Sequence, residues 1–139
     1  MKFALYALTF CCLSLCASNP ESPAEVIDRE LVAYNARDLD AFIKFFSPDC
    51  EIFEFPDKLL AKGTEAIRKR YSARFLSPNL HADVVKRIAV GDRIIDHESV
   101  TLTFPEGPGT QEFVVISEVK GGVKTRVWVM SGEKTISKK

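Results

Sequence analysis

Two glycine-led turns, Gly91-Asp92 and Gly121-Gly122, constrain this chain more than any other feature. Residues 81–90 and 93–104 flank the first, and residues 111–119 and 123–131 flank the second. The flanking runs are rich in β-branched residues, and glycine supplies the positive φ that a tight hairpin turn needs. The pattern predicts two hairpins joined by a looser connection from Pro105 to Gly109. Such a meander cannot bury its own apolar face, so the residues ahead of it must supply the cover.

That cover reads as helical. Ser22-Pro23-Ala24-Glu25 combines a capping serine, a proline suited to the first helical position and a glutamate that closes a capping box. Ala24, Ile27, Leu31 and Tyr34 follow at spacings of 3, 4 and 3, one face of a helix. Asp38 is a second N-cap, ahead of Leu39, Phe42, Ile43 and Phe46, and Ser47-Pro48 stops the run. Residues 51–55 read as a strand closed by Pro56, and a third helix runs from about Thr64 to Phe75. Helices first and a meander later indicate an α+β fold. The expected architecture is a cone-shaped curved antiparallel sheet wrapped around three N-terminal helices, open at one end as a pocket.

The chain has 139 residues, with 19 Lys plus Arg balanced by 19 Asp plus Glu. That balance argues against a nucleic-acid partner, which usually selects a basic surplus. Residues 1–18 stand apart: Met1-Lys2, an uncharged apolar run, then small residues before Asn19-Pro20. This is the layout of a secretory signal peptide. It leaves an exported domain of residues 19–139, secreted or periplasmic, with no membrane partner in the mature form. Cys16 after Leu13-Ser14-Leu15 offers lipoprotein anchoring as the alternative. Once residues 1–18 are removed, Cys50 is the one remaining cysteine, expected to be a buried, inert thiol. No C-x-x-C pair, P-loop, dinucleotide fingerprint or G-x-S-x-G elbow occurs, so neither a metal nor a cofactor is implied.

Four elements resemble the nuclear transport factor 2-like superfamily. Ala33 to Asp40 resembles the bend between its first two helices, and Phe46 with Asp49 its F-x-x-D element. Gly63, Ala66, Ile67, Arg68 and Tyr71 resemble its third-helix entry. Gly121-Gly122 followed by Arg126-Val127-Trp128 resembles the closing hairpin of the SnoaL-like branch. The resemblance implies the cone fold. It also implies a range of functions, from ketosteroid isomerases, polyketide cyclases and epoxide hydrolases to binding proteins without catalysis.

In the ketosteroid isomerase branch the general base lies eight residues past the phenylalanine of F-x-x-D, which here is Glu54. The chemistry requires a carboxylate whose pKa is raised by an apolar pocket. Glu54 shares a strand face with Ile52 and Cys50, and that face is expected to look inward. The branch's two oxyanion donors fall at Glu30 and at Val115 or Ile116, so neither is present by position. Tyr34 and Tyr71 offer hydroxyls from elsewhere, though each also reads as a core or bend residue.

Asp96-His97-Glu98 is the other polar cluster. Alternation sets His97 opposite Asp96 and Glu98, and the tight turn pairs Arg87 with Asp96 and Lys86 with His97. The Arg87–Asp96 pair reads as surface electrostatics, and His97 is a second candidate acid–base group facing the pocket. Trp128, Arg126 and Met130 share a face that reads as pocket wall or core, with dimer surface and cation–π packing as alternatives. Phe113 and Val115 make one face of their strand apolar, and Val114 and Ile116 the other, which points to a homodimer. The expected function is binding of a hydrophobic small molecule, with isomerase- or cyclase-type acid–base chemistry on a carbonyl compound by Glu54 and His97. The alternative is a non-catalytic binding or dimeric interaction module.

Overall fold

A computed structural model describes residues 21–137, so the expected signal segment lies outside the described residues. Among the described residues three helices, α1 (Pro23–Asn35), α2 (Leu39–Ile43) and α3 (Thr64–Phe75), accompany six strands. The strands are β1 (Phe46–Glu54), β2 (Lys58–Lys62), β3 (His81–Val90), β4 (Arg93–Phe104), β5 (Gly107–Lys120) and β6 (Val123–Ile136). They form one curved, unclosed sheet in the order β2-β1-β6-β5-β4-β3. Among the described residues no helix is long and apolar enough to cross a membrane.

The helix starts follow their local chemistry. Ser22 and Glu25 form the reciprocal capping box at α1, and the Asp38 side chain accepts from the Ala41 amide at α2. Gly121 and Gly122 both take positive φ, +58° and +79°, in the turn that joins β5 to β6.

The sheet departs from the expected all-antiparallel meander at one edge. β1 runs parallel to β6, and Lys58–Lys62, between the expected strand and the third helix, form β2, antiparallel to β1. β1 also starts five residues earlier than expected, running through Pro48. A proline there withholds only one donor, so it is compatible with an irregular strand start. The β1–β6 register shifts between Phe46 and Glu51, where that irregularity falls.

Tyr34, Phe42, Phe46, Tyr71 and Phe75 pack ring against ring between the helices and the concave sheet face. Each such pair contributes about 0.5–1.5 kcal/mol beyond its buried area. Cys50, Ile52, Val100 and Val127 meet this cluster from the sheet. Val26, Ile27, Ile94 and Val119 form a second buried group, with Ala24 and Phe45 packed against it.

Candidate functional site

The interior polar groups come from inward-pointing positions of alternating strands. β4 turns Ile94, Asp96, Glu98 and Val100 toward the helices, and β5 turns Phe113, Val115 and Ser117. α1 contributes Glu30 and Tyr34, α3 contributes Tyr71 and Arg74, and β6 contributes Lys124. The cavity they enclose leaves about 50 Å³ free, room for a few waters. A wider cleft of about 330 Å³ lies toward the open end, and Tyr71, Arg74, Phe113 and Val129 line both spaces.

Three arrangements set the electrostatics. At the floor, Lys124 Nζ donates to Glu30 Oε1 at 2.8 Å, and both side chains are largely buried. Lys124 also lies 4.4 Å from the centre of the Phe46 ring, a cation–π contact. On the wall, Arg87 forks onto both carboxylate oxygens of Asp96 at 2.7 and 2.8 Å and reaches Asp28 as well. Those partners hold the guanidinium even more firmly charged than usual.

Between them stands Glu98. Burial pushes its pKa up to about 7, the Glu30 charge adds to the rise, and Lys124 opposes it. Near it the Tyr34 hydroxyl is fully buried and has no hydrogen-bond partner. Burial raises its pKa, and the charge and approach of the Arg74 guanidinium oppose that rise. Burial lifts Tyr71 to about 12, so both phenols keep their protons at neutral pH and remain donors. A carboxyl poised near neutrality beside a buried, unsatisfied donor is an arrangement that can take up and return a proton at a polarised carbonyl compound.

The expected site residues fall elsewhere. Glu54 does lie on the inward strand face, but at the rim, where it lines the outer cleft. Its side chain is 49% exposed and bonded to Lys58 at 2.7 Å. That hydrogen bond and charge lower its pKa instead of raising it. At the rim Glu54 meets water, which removes the desolvation its expected role required.

His97 points to the outer sheet face, 3.5 Å from Glu112, and not into the cone. The structure therefore does not bring Glu54 and His97 together. The pairing of Arg87 with Asp96 and of Lys86 with His97 is as expected. However, Asp96 is 2% exposed, so this is a buried ion pair and not surface electrostatics. Trp128 stacks on Phe53 on the outer face, with Arg126 over its ring, instead of forming pocket wall. Cys50 is fully buried, and burial lifts its thiol to about 11, as an inert core thiol requires. Glu98 was missed as an interior group. The signal for it was the bracketing of Asp96 and Glu98 by Ile94 and Val100 on one strand face.

The SnoaL-like domain family matches residues 27–128, from within α1 to the first half of β6. The chain belongs to the SnoaL-like domain family. Solved structures agree on the fold of this SnoaL-like domain. A cystatin-fold protein from Novosphingobium aromaticivorans superposes with a TM-score of 0.70 at 24% identity, covering 78% of this chain and 97% of that one. SalBIII, an epoxide hydrolase/cyclase-like enzyme of pyran ring formation in salinomycin, gives 0.74 at 14%, covering 83% and 95%. A protein described as a ketosteroid isomerase from Kribbella flavida gives 0.66 at 17%, covering 84% and 82%. No curated protein sequence matches the chain.

Proposed function

We propose that the cone of this SnoaL-like domain binds a small carbonyl compound and relocates a proton on it. Glu98 is the base. Its carboxylate takes a proton from the carbon next to the carbonyl, leaving Glu98 protonated and the substrate an enolate. The Tyr34 hydroxyl donates to the enolate oxygen, and Glu98 returns the proton to a different carbon. The supporting observation is the half-buried carboxyl of pKa about 7 in a cavity that also holds a buried hydroxyl without a partner. The cyclase and isomerase descriptions of structural neighbours are in keeping with this class of chemistry.

Cyclohex-3-en-1-one is a suitable small probe, because its conjugated isomer is followed by absorbance. The wild type is expected to isomerise it, and Glu98→Gln to abolish the reaction with the fold intact. Equal rates in both proteins would remove Glu98 from the chemistry. The small free volume, about 50 Å³, favours a second reading in which the cavity holds a ligand without turnover, and absence of reaction in the wild type supports that reading. Export of residues 19–139 is part of the proposal. Intact mass of protein recovered outside the cytoplasm tests it, and a chain that still begins at Met1 contradicts it.

A further inference from the structure

The chain has eight arginines, all among the described residues. Arg29 pairs with Glu21, Arg68 with Asp40, Arg93 with Glu118 and Arg126 with Glu51. Arg87 holds Asp28 and Asp96, and Arg37 donates to the carbonyls of Ser77 and Pro78. Arg70 and Arg74 are the exceptions. Neither side chain has an ion pair with any described residue, and the polar group that Arg74 approaches, the Tyr34 hydroxyl, is neutral. They stand one helical turn apart on α3, so they share a face, and both line the outer cleft. Arg74 also lines the inner cavity, its guanidinium lying 5.2 Å from the centre of the Phe113 ring. Gln111 and Ser131 add neutral polar groups to the cleft. Its carboxylate, Glu54, is already bonded to Lys58.

We propose that the outer cleft is an anion site and that the ligand of the cone carries a carboxylate, held by Arg74 and Arg70 while its carbonyl end enters the cavity. This rests on the reading of the cone as a small-molecule site. Two unpaired guanidinia on one helix face present planar donor forks that match a carboxylate's two oxygens. Their position between cleft and cavity orients such a ligand charge outward. The interior offers no equivalent place, since Lys124 and Arg87 are already paired to Glu30 and Asp96. The preferred ligand class is therefore a short keto acid or an aryl-substituted keto acid, held more tightly than a neutral ketone of the same shape.

The test compares 4-oxo-4-phenylbutanoate with its uncharged primary amide by NMR titration of the protein. The wild type is expected to bind the carboxylate roughly tenfold or more tightly than the amide. The Arg70→Gln/Arg74→Gln double variant should lose that preference, its affinity for the carboxylate falling by more than its affinity for the amide. Arg74→Lys should recover part of it, because charge returns without the planar fork. Melting curves of the variants verify that the helix still folds. Equal binding of the two probes, a preference retained in the double variant, or no binding of the carboxylate at millimolar concentration overturns the proposal. Solvent deuterium incorporation next to the ketone reports separately on Glu98. A carboxylate preference without incorporation keeps the anion site and defeats the proton-transfer reading. Incorporation without a preference does the reverse.

Discussion

At the scale of single residues, the site is defined by groups that gain nothing from the fold. The Tyr34 hydroxyl is buried without a partner, so its removal relieves a desolvation cost. Tyr34→Phe is predicted to leave stability unchanged or to raise it by up to about 1 kcal/mol. The same change should lower turnover by roughly 10²-fold, because an oxyanion donor is lost. Calorimetry beside a rate assay checks both halves, and a destabilised variant of full activity would contradict them. Glu98 behaves in parallel. Its folded pKa of about 7 lies above the ordinary 4.5, so the folded state binds its proton more tightly than the unfolded chain does. The stability this contributes is complete below about pH 4.5 and is lost as pH rises toward 7. Glu98→Gln should remove that decline and be more stable than the wild type at pH 8, by about 1–3 kcal/mol. Denaturant titrations across that range provide the check.

At the scale of elements, Lys124 at the start of β6 ties the sheet to α1 through Glu30. Lys124→Met leaves the Glu30 carboxylate in the cavity floor without its partner, at a cost of about 3 kcal/mol. Adding Glu30→Gln should recover most of it, and a double variant no more stable than the single would refute the coupling. The caps and hairpin turns of these elements were legible because each is a local device. Ser22 with Glu25, Asp38, Gly91 and Gly121-Gly122 act within a few residues. β2 was not legible, because Lys58-Leu59-Leu60-Ala61-Lys62 becomes a strand only through its pairing with β1. The parallel β1–β6 contact is longer in range still. Alternation also fixed which residues share a face, as Asp96 with Glu98 shows. It could not tell how deep along the cone each residue lies. Glu54 and Glu98 both point inward, yet one meets water at the rim and the other meets Tyr34 and Phe113.

At the scale of the whole molecule, the outer sheet face is the feature the interior does not use. Leu59, Phe53, Trp128, Ile116, Ile95 and Ile88 lie in register across all six strands as one apolar row. The row beside it, Lys62, Glu51, Arg126, Glu118 and Arg93, alternates in charge. An apolar row next to self-complementary charges suits an isologous contact. The prediction is a homodimer through this face, disrupted by Ile116→Lys with the cone unaltered. Sedimentation equilibrium giving dimer mass for the wild type and monomer mass for the variant supports it, and a monomeric wild type at micromolar concentration contradicts it.

The most direct measurement is the titration of the Glu98 side-chain carboxyl by carbon-detected NMR, with Glu98→Gln identifying its resonance. The account predicts a midpoint near pH 7, with the Glu54 carboxyl titrating below the ordinary carboxylate range. An ordinary midpoint for Glu98, near 4.5, would contradict a desolvated base in the cone and with it the proposed chemistry.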